Sequence, residues 1–171
     1  MGGDALEVTL LVAGDCVLLH SSFSAMGWRK PPGLFEAYFG EQGRGERLLW
    51  VARCGDSIAG FVTLGWRSTY LPFAELGVPE IGDLNVYPDH RRRGVASALL
   101  DVAEAAAFAR APAVGIAVGL YAAYGPAQRL YVKRGYVPDG RGVTAHGAPV
   151  AEGATVGVDD DLLLWLLLDA S

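Results

Sequence analysis

The sequence predicts a single α/β domain over residues 1–171, in which about four helices flank a central mixed β-sheet. Predicted strands and helices follow the order β-α-α-β-β-β-α-β-α-β-β, and no repeat or linker divides them. The strand predicted at residues 114–120 is almost entirely apolar or glycine, which is typical of a strand covered on both faces. Hydrophobic residues make up 51% of the 171 residues and charged residues 19%, as expected of a globular domain with a substantial core.

The first half of the chain contains three predicted strands and two predicted helices. Apolar residues recur at helical spacing after Pro31-Pro32, which predicts a helix that runs to about Gly43. Gly55-Asp56 separates two runs of β-forming residues and predicts a hairpin turn. The other predicted elements are a strand from Leu6 to Val12, a helix from Asp15 to Ala25, and the hairpin strands from Leu48 to Arg53 and from Ile58 to Trp66.

The second half begins with a segment from Ser68 to Pro79 that we expect to be irregular. Alanine and leucine then dominate a predicted helix from Gly94 to about Arg110. Gly135 is expected to close a shorter helix from Tyr124 to Arg134. The remaining predicted elements are strands at Glu80 to Val86, Val114 to Leu120, Tyr136 to Val143 and Leu162 to Leu168, and a glycine-containing loop from Gly142 to Gly157.

Charge and cysteine content exclude several classes of function. A net charge of −5 disfavours nucleic acid as a partner and weakly favours a cationic substrate. Cys16 and Cys54 lack CxxC spacing, so we expect two free thiols in a reducing compartment. Residues 1–4 lead into alternating sequence without a secretory signal, and the apolar run 162–168 is too short to span a bilayer as a helix. We therefore expect a soluble cytoplasmic protein with no membrane partner.

A predicted anion site follows the strand that ends at Val86. The string Arg91-Arg92-Arg93-Gly94-Val95-Ala96 opens a helix, whose first backbone N–H groups lack intrahelical partners and attract anions. Gly94 and Ala96 are small enough for a diphosphate to approach that backbone, and the guanidinium groups add positive charge. The string lacks the spacing of a Walker A motif and of a GxGxxG fingerprint. The pattern therefore indicates a phosphate site of another type.

Two motifs carry a resemblance to a known family. The string Leu84-x-Val86-x-Pro88-x-x-Arg91-x-Arg93-Gly94-Val95-Ala96-x-x-Leu99-Leu100 resembles motif A of the GNAT superfamily of N-acetyltransferases, with its Arg/Gln-x-x-Gly-x-Gly/Ala signature. Roughly 40 residues downstream, Ala127-x-x-Leu130-Tyr131-x-x-x-Gly135-Tyr136 resembles motif B. The resemblance places motif A at about residues 80–110 and motif B at about 121–137. It implies a GNAT-like fold, in which the sheet is splayed between its fourth and fifth strands and acyl-CoA lies in that notch.

The resemblance also implies which residues bind acetyl-CoA, the acyl-donor cosubstrate. Pantetheine is expected to pair with the backbone near Leu84 to Val86, because a ligand amide can satisfy backbone groups that lack a strand partner. Family members often carry Asn three residues before the motif B alanine, where this chain has Tyr124. Gln128 and Arg129 are the next polar residues of that helix, and either could face CoA. The predicted set is Leu84, Asn85, Val86, Arg91, Arg92, Arg93, Gly94, Val95, Ala96, Ser97, Tyr124 and Gln128.

Acyl transfer to an amine requires the amine to lose a proton and the CoA thiolate to be protonated or tolerated. An alkyl amine titrates near ~10.4, so its neutral form costs about 4 to 5 kcal/mol at pH 7. The motif B position of Tyr131 implies that it faces the CoA sulfur and acts as the acid, since a phenol with a pKa near ~10 can protonate a thiolate. The alternative is that Tyr131 is a core aromatic residue.

The candidate general base is Glu80, whose position matches the glutamate of the histone-acetylating branch of the family. If the strand carries no bulge, the side chain of Glu80 lies on the same face as those of Leu84 and Val86. Asp83 would point to the opposite face and is the second candidate, and ordered water is the alternative to either side chain. A backbone N–H near Val86 is expected to bind the oxyanion.

The acceptor site is poorly specified. Asp159-Asp160-Asp161 could hold a cationic substrate, or could be a solvated entry to the last strand. The three histidines are scattered without ligand spacing, so we predict no metal. Aromatic residues that could line an acceptor pocket, or else belong to the core, are Trp28, Trp66, Tyr70, Phe73 and Tyr121.

We therefore expect an acetyl-CoA-dependent N-acetyltransferase that acts on a primary amine of a small molecule or peptide, by direct attack in a ternary complex. The alternative function is a non-catalytic module that binds and senses acyl-CoA, and Tyr131 favours the enzyme. A tRNA-acetylating toxin would need a basic face, which the acidic balance disfavours. The sequence leaves the acceptor, the acyl length and the oligomeric state open, and a homodimer is compatible with it.

Overall fold

The computed structural model of the protein describes residues 5–28 and 30–170, which form a mixed α/β fold. Within these residues, five α-helices accompany an open mixed sheet. The strands are β1 (Leu6–Leu10), β2 (Arg47–Cys54), β3 (Ser57–Gly65), β4 (Glu80–Val86), β5 (Ala113–Gly119), β6 (Val137–Ala145), β7 (Ala148–Pro149) and β8 (Leu162–Asp169). The helices are α1 (Ala13–Ala25), α2 (Leu34–Gly43), α3 (Leu71–Leu76), α4 (Val95–Phe108) and α5 (Gly125–Arg134).

The chain divides into two compact units. The first comprises Met1–Trp66 and Gly82–Ala106, and the second comprises Arg67–Ile81 and Ala107–Ser171. In the first unit the strand order is β1-β2-β3-β4, and β2 pairs antiparallel with both β1 and β3. In the second unit the order is β4-β5-β8-β6-β7, and the pairs beyond β5 are antiparallel. The division falls within β4, which therefore contributes residues to both units.

The parallel ladder between β4 and β5 is short. It contains the registers Glu80↔Gly115 and Ile81↔Ile116. The opposite edge of β5 pairs with β8 along the full strand, from Ala113↔Asp169 to Gly119↔Leu163. β5 therefore has a short ladder on the edge next to β4 and a long ladder on the edge next to β8.

An aromatic core holds the first unit together. Phe35 of α2 meets Phe61 of β3 edge to face, with ring centroids 5.4 Å apart, and Phe23 of α1 lies 5.6 Å from the same ring. Tyr87, which follows β4, packs edge to face against Phe23 at 5.8 Å. Burial of each such ring contributes about 1.5–3 kcal/mol, so the end of β4 is anchored to the helical layer.

The core of the second unit is built on stacked rings. Tyr70 and Trp165 stack with centroids 4.3 Å apart and planes 6° apart, and Phe73 meets Trp165 edge to face at 5.7 Å. The ring of Phe73 lies directly over Gly115 of β5, where an added Cβ would overlap it. Tyr70 and Phe73 are therefore core residues of this unit. For these two aromatic residues the core, rather than an acceptor pocket, is what the structure shows.

Most predicted elements are present, and two differences have local causes. The segment 68–79, predicted as irregular, contains α3, which has Pro72 in its first turn and ends at Gly77 with a φ of 68°. The expected loop 142–157 is shorter, because β6 extends to Ala145 and pairs with β7 as a hairpin. The glycine and proline residues in both segments had led us to predict irregular structure there.

Further expectations concern cysteines and membrane segments. Cys16 is buried and Cys54 is half-buried, and both are free thiols as predicted. Among the described residues, no helix combines the length and the apolar character that crossing a membrane would require. Residues 1–4, on which the expectation about a secretory signal depends, lie outside the described residues.

Gly60 of β3 permits a close approach between β3 and β4. A Cβ at this position would overlap the backbone carbonyl oxygen of Asn85 and lie 3.2 Å from Cα of Val86. The N–H of Tyr87 also donates to the carbonyl of Ala59 at 2.9 Å. The backbone of β4 at residues 85–87 is therefore held directly against β3.

We expect Gly60→Ala to lower the free energy of unfolding by about 1–3 kcal/mol, because the added methyl group must displace backbone rather than a flexible side chain. Gly14→Ala is the matched control, since a Cβ at Gly14 in α1 meets no atom within 4 Å. That control should be neutral or slightly stabilising. Chemical denaturation of both variants measures the difference, and equal stability would contradict the close approach.

Candidate functional site

The loop between β4 and α4 has the geometry of an anion cradle. Arg92 and Gly94 both adopt left-handed backbone conformations, with φ of 58° and 80°. The carbonyl of Gly94 accepts the N–H of Ala98 at 3.0 Å, so the helix begins one residue after the predicted start. Left-handed residues at a helix start turn successive N–H groups towards one side of the chain, which is a common way to bind an anion.

The surroundings of this loop are open and positively charged. Arg91, Arg92, Arg93 and Gly94 are all exposed. A Cβ added to Gly94 would meet no atom within 4 Å, and its positive φ disfavours any other residue. Among the residues that the structure describes, none lies within 4 Å of that added Cβ, so the space beside Gly94 is open.

Arg91 is anchored differently from its two neighbours. Its Nε donates to the carbonyl of Val86 at 3.2 Å, and its guanidinium lies 5.8 Å from the centroid of the Trp28 ring. Trp28 also contacts the rings of Phe23 and Tyr87, at 5.5 Å and 6.3 Å. Trp28, which we considered as an acceptor-lining residue, therefore packs against the core and contacts Arg91 of the loop between β4 and α4. We call this loop, Arg91–Gly94, the phosphate loop after its predicted ligand.

The strand segment Leu84–Val86 is partly buried along its whole length. The Asn85 side chain turns back on its own strand, and its Nδ2 donates to the carbonyl of Asp83 at 2.9 Å. Downstream, the side chain of Val95 is buried and those of Ala96 and Ser97 are half-buried. Contact of these helix residues with a cofactor would therefore involve mainly their backbone N–H groups.

Asp83 interrupts the regular geometry of β4. Its φ is 47°, so a residue other than glycine lies in the left-handed region inside a strand. The facing assigned to the Glu80 side chain assumed regular alternation along β4, and the left-handed residue interrupts that alternation. Alternation before Asp83 therefore does not predict which side chains share a face after it.

The Asp83 carboxylate is already paired. Lys30 Nζ donates to Oδ1 at 2.6 Å, and Tyr38 Oη donates to Oδ2 at 2.6 Å. Burial and the nearby Asp83 carboxylate raise the pKa of the Tyr38 phenol, so Tyr38 stays a hydrogen-bond donor at neutral pH. Each carboxylate oxygen of Asp83 therefore already accepts one hydrogen bond, and its role as a base stays a prediction.

Glu80, in the second unit, is also occupied. Its Oε2 accepts hydrogen bonds from Ser68 Oγ at 2.7 Å, from the Thr69 N–H at 2.8 Å and from Thr69 Oγ1 at 3.1 Å. These three donors fix the orientation of the Glu80 carboxylate, and the same hydrogen bonds hold residues 68–69 before α3 in place. Its role as a base stays a prediction.

Tyr131 lies on α5 with 5% of its surface exposed. Burial raises the pKa of its phenol, which therefore remains protonated at neutral pH. The ring of Tyr136, on the other side of the closing Gly135, lies 5.8 Å away. A neutral phenol is the form that an acid catalyst needs, and it is equally the form that a core aromatic adopts.

Tyr124 and Gln128 use their polar groups at the end of β5. Gln128 Nε2 donates to the carbonyl of Gly119 at 2.8 Å, and the Tyr124 ring covers Gly119, where a Cβ would lie 2.9 Å from Cγ of the ring. Tyr124 Oη donates to Asp160 at 2.9 Å, and Tyr121 Oη donates to the same oxygen. The predicted cofactor contacts of Tyr124 and Gln128 stay predictions, and both residues also fasten α5 to β5.

The acidic run contains a grouping that the sequence reasoning missed. His146 Nδ1 lies 3.0 Å from Asp161 Oδ2, and His146 Nε2 lies 3.9 Å from Asp159 Oδ2. These ligand-type atoms all fall within 4.8 Å of one another, and all three residues are exposed. The register Ala145↔Leu162 between β6 and β8 creates the grouping, and pairing across 17 residues leaves no local signal in the sequence. We assign no metal to it, because exposed acidic groups commonly cluster without a ligand.

Comparison with solved structures supports the fold at low sequence identity. Ard1 from Thermoplasma volcanium is 16% identical with a TM-score of 0.71, and 98% of this chain aligns with 99% of that one. Arabidopsis thaliana NAA60 in complex with acetyl-CoA is 17% identical with a TM-score of 0.69, over 96% and 98% of the two chains. Spermidine N-acetyltransferase from Vibrio cholerae, in complex with CoA and spermine, is 17% identical with a TM-score of 0.65, over 96% and 95%.

No curated protein matches the sequence significantly. The Acetyltransferase (GNAT) family, by contrast, matches residues 17–136, which include both motifs, the phosphate loop and Tyr131. This match covers more than half of the chain and agrees with the element order and with the fold of the solved structures. The chain therefore belongs to the GNAT family of acetyltransferases.

Proposed function

We propose that this chain is an N-acetyltransferase, which transfers the acetyl group of acetyl-CoA to a primary amine of a small molecule or peptide by direct attack in a ternary complex. The observation that carries the proposal is the open, arginine-lined loop at the start of α4, with left-handed Arg92 and Gly94. Membership of the GNAT family and the acetyl-CoA and CoA complexes of structurally similar proteins support acetyl-CoA as the donor.

In the proposed donor site the first unit supplies binding and orientation. Arg91, Arg92 and Arg93 provide charge for the pyrophosphate, and the N–H groups that follow Gly94 provide directed hydrogen bonds. Backbone groups of Leu84–Val86 would pair with the amides of pantetheine. A backbone N–H near Val86 is the proposed donor to the oxyanion. The N–H of Tyr87 is not available for this role, because it already donates to Ala59.

The proposed proton transfers involve two side chains of the second unit. Tyr131 would donate its proton to the departing thiolate, and burial keeps that proton in place until then. Glu80 would accept the proton of the amine, directly or through water, and Ser68 and Thr69 hold its carboxylate in one orientation. The N–C bond forms first and gives the tetrahedral oxyanion. Its collapse breaks the C–S bond, and CoA leaves as the free thiol with the proton from Tyr131.

Replacing Arg92 by alanine should raise the Kd for CoA about tenfold, because one charge-assisted hydrogen bond to phosphate is lost. The Kd for pantetheine, which lacks the pyrophosphate, should not change. Arg44→Ala is the control, since Arg44 is exposed but pairs with Glu46 away from the loop. Calorimetric titration of both ligands measures this, and a loss of affinity that is equal for CoA and pantetheine would rule out a phosphate contact.

Tyr131→Phe should lower kcat about 100-fold while CoA affinity is retained, because the proton donor alone is removed. Tyr136→Phe, which removes a hydroxyl from the neighbouring ring of motif B, is the matched control and should retain kcat. Thiol release and amine acetylation measured together report the effect. If Tyr131→Phe and Glu80→Gln both transfer acetyl at the original rate, the catalytic assignment fails, even if CoA still binds.

The pH dependence follows from the direction of the Tyr131 pKa shift. Its folded pKa lies above the ordinary value of about 10, so the phenol keeps its proton throughout the neutral range. Stability that depends on this neutral phenol is complete below about pH 10 and is lost as the pH rises further, because the unfolded tyrosine ionises first. Spectrophotometric titration should show less tyrosinate near pH 10 in the folded wild type than in the unfolded chain. Tyr131→Phe should reduce this difference, and an unchanged difference would contradict the shift.

A further inference from the structure

An ion pair lies beside the proposed donor strand. Lys30 reaches Asp83 from the turn between α1 and α2, and their Nζ and Oδ1 atoms are 2.6 Å apart. The two side chains retain 22% and 23% of their exposed surface, so neither is fully buried. Tyr38 holds the second carboxylate oxygen at 2.6 Å. The carboxylate is thus fixed in direction, with a cation on one side of it.

The position of this pair relates it to the chemistry of the proposed site. Asp83 immediately precedes Leu84–Val86, the segment proposed to hold pantetheine, and both belong to the first unit. Trp28, two residues before Lys30, contacts the Arg91 guanidinium and the Tyr87 ring. The turn that carries Lys30 therefore borders the proposed pantetheine strand, along which an acceptor amine would have to reach the thioester of acetyl-CoA.

Within the part of the chain that the structure describes, the charges of this cluster balance. Lys30 neutralises Asp83, and Arg47, which lies 4.6 Å from the centroid of the Tyr38 ring, pairs with Glu41. A free carboxylate would attract any ammonium group, but here a cationic acceptor must first displace Lys30 and leave its charge half-buried and unpaired. An acceptor that also carries a carboxylate avoids this loss, because its ammonium can bind Asp83 while its carboxylate binds Lys30.

We propose that Lys30 and Asp83 form an acceptor subsite that selects a primary amine with a carboxylate one or two carbon atoms away, as in an α- or β-amino acid. The short distance between Lys30 Nζ and Asp83 Oδ1 sets this spacing. A ligand that binds both groups must carry its own ammonium and carboxylate at a similarly short separation. Polyamines, which carry no anion, are disfavoured by the same pair. The inference rests on the proposed function and specifies its substrate class.

The experiment measures kcat/KM by thiol release with acetyl-CoA for matched acceptors. Alanine, methionine, phenylalanine and glutamate are each compared with their carboxamides, and β-alanine is compared with 6-aminohexanoate. Spermidine serves as the cationic acceptor. The wild type should favour the free amino acid over its carboxamide by about ten- to a hundredfold for at least one pair, because one charge-assisted contact is lost. β-Alanine should exceed 6-aminohexanoate by a similar factor.

Variants at Lys30 separate selectivity from general damage. Lys30→Met should abolish the preference for the carboxylate and raise the use of spermidine, and Lys30→Arg should retain most of the preference. The sequence contains two lysines, so Lys133→Met on α5 is a control that removes the same charge from an exposed position and should behave as wild type. Comparing ratios between variants cancels the intrinsic reactivity of each amine.

Two results would overturn the inference while the proposed function stands. One is a wild type that acetylates spermidine or carboxamides as well as it does amino acids. The other is a Lys30→Met variant in which the ratio of amino acid to carboxamide is unchanged. A chain that binds no CoA and releases no thiol with any acceptor would instead overturn the proposed function, and this inference with it. Direct titration of the best amino acid into wild type and Lys30→Met, with CoA present, gives a readout that does not depend on turnover.

Discussion

The left-handed backbone at Asp83 is the constraint on which the geometry of the proposed donor strand depends. A non-glycine residue in this conformation costs of order 1–3 kcal/mol and persists only where surrounding contacts fix it. Here Lys30 and Tyr38 hold the side chain, and the Asn85 amide holds the backbone carbonyl. Pairing of β4 with β5 stops at Ile81, two residues earlier. The contacts made by Asp83 therefore coincide with the place where β4 leaves regular sheet geometry.

The first unit confines β4 from its other edge as well. Gly60 allows the backbone at Asn85 to approach β3 more closely than any side chain would permit, and the hydrogen bond from Tyr87 to Ala59 fixes the end of the strand. The Tyr87 ring then enters the aromatic cluster with Phe23. A strand fixed in this way is a rigid base for the phosphate loop that follows it, and such rigidity is what the binding of a long, flexible cofactor requires.

Local charge, rather than net charge, decides what each part of this surface can bind. The chain carries a net charge of −5, yet three adjacent arginines are exposed at the start of α4. At physiological ionic strength exposed charges are screened over about 8 Å, so distant carboxylates do little to offset this loop. The Lys30–Asp83 pair is close to neutral and half-buried, where direct pairing dominates. A basic loop and a balanced pair beside the same strand can therefore bind different groups.

The sequence by itself determined the order of all elements except α3 and β7, the start of α4 to within one residue, the closing Gly135 and the family. Each of these depends on residues close together in the chain. Periodicity, turn residues and motif spacing are local signals. Only the tertiary structure decided that Glu80 is held by Ser68 and Thr69, that Asp83 pairs with Lys30, and that His146 meets Asp159 and Asp161. These partners are separated in sequence by 11 or more residues, and each pair forms only when strands and turns pack. Left-handed Asp83 in β4 also interrupts the alternation from which we had inferred the face that each side chain occupies. No propensity rule identifies such a residue in the sequence, because its surroundings hold it in this conformation.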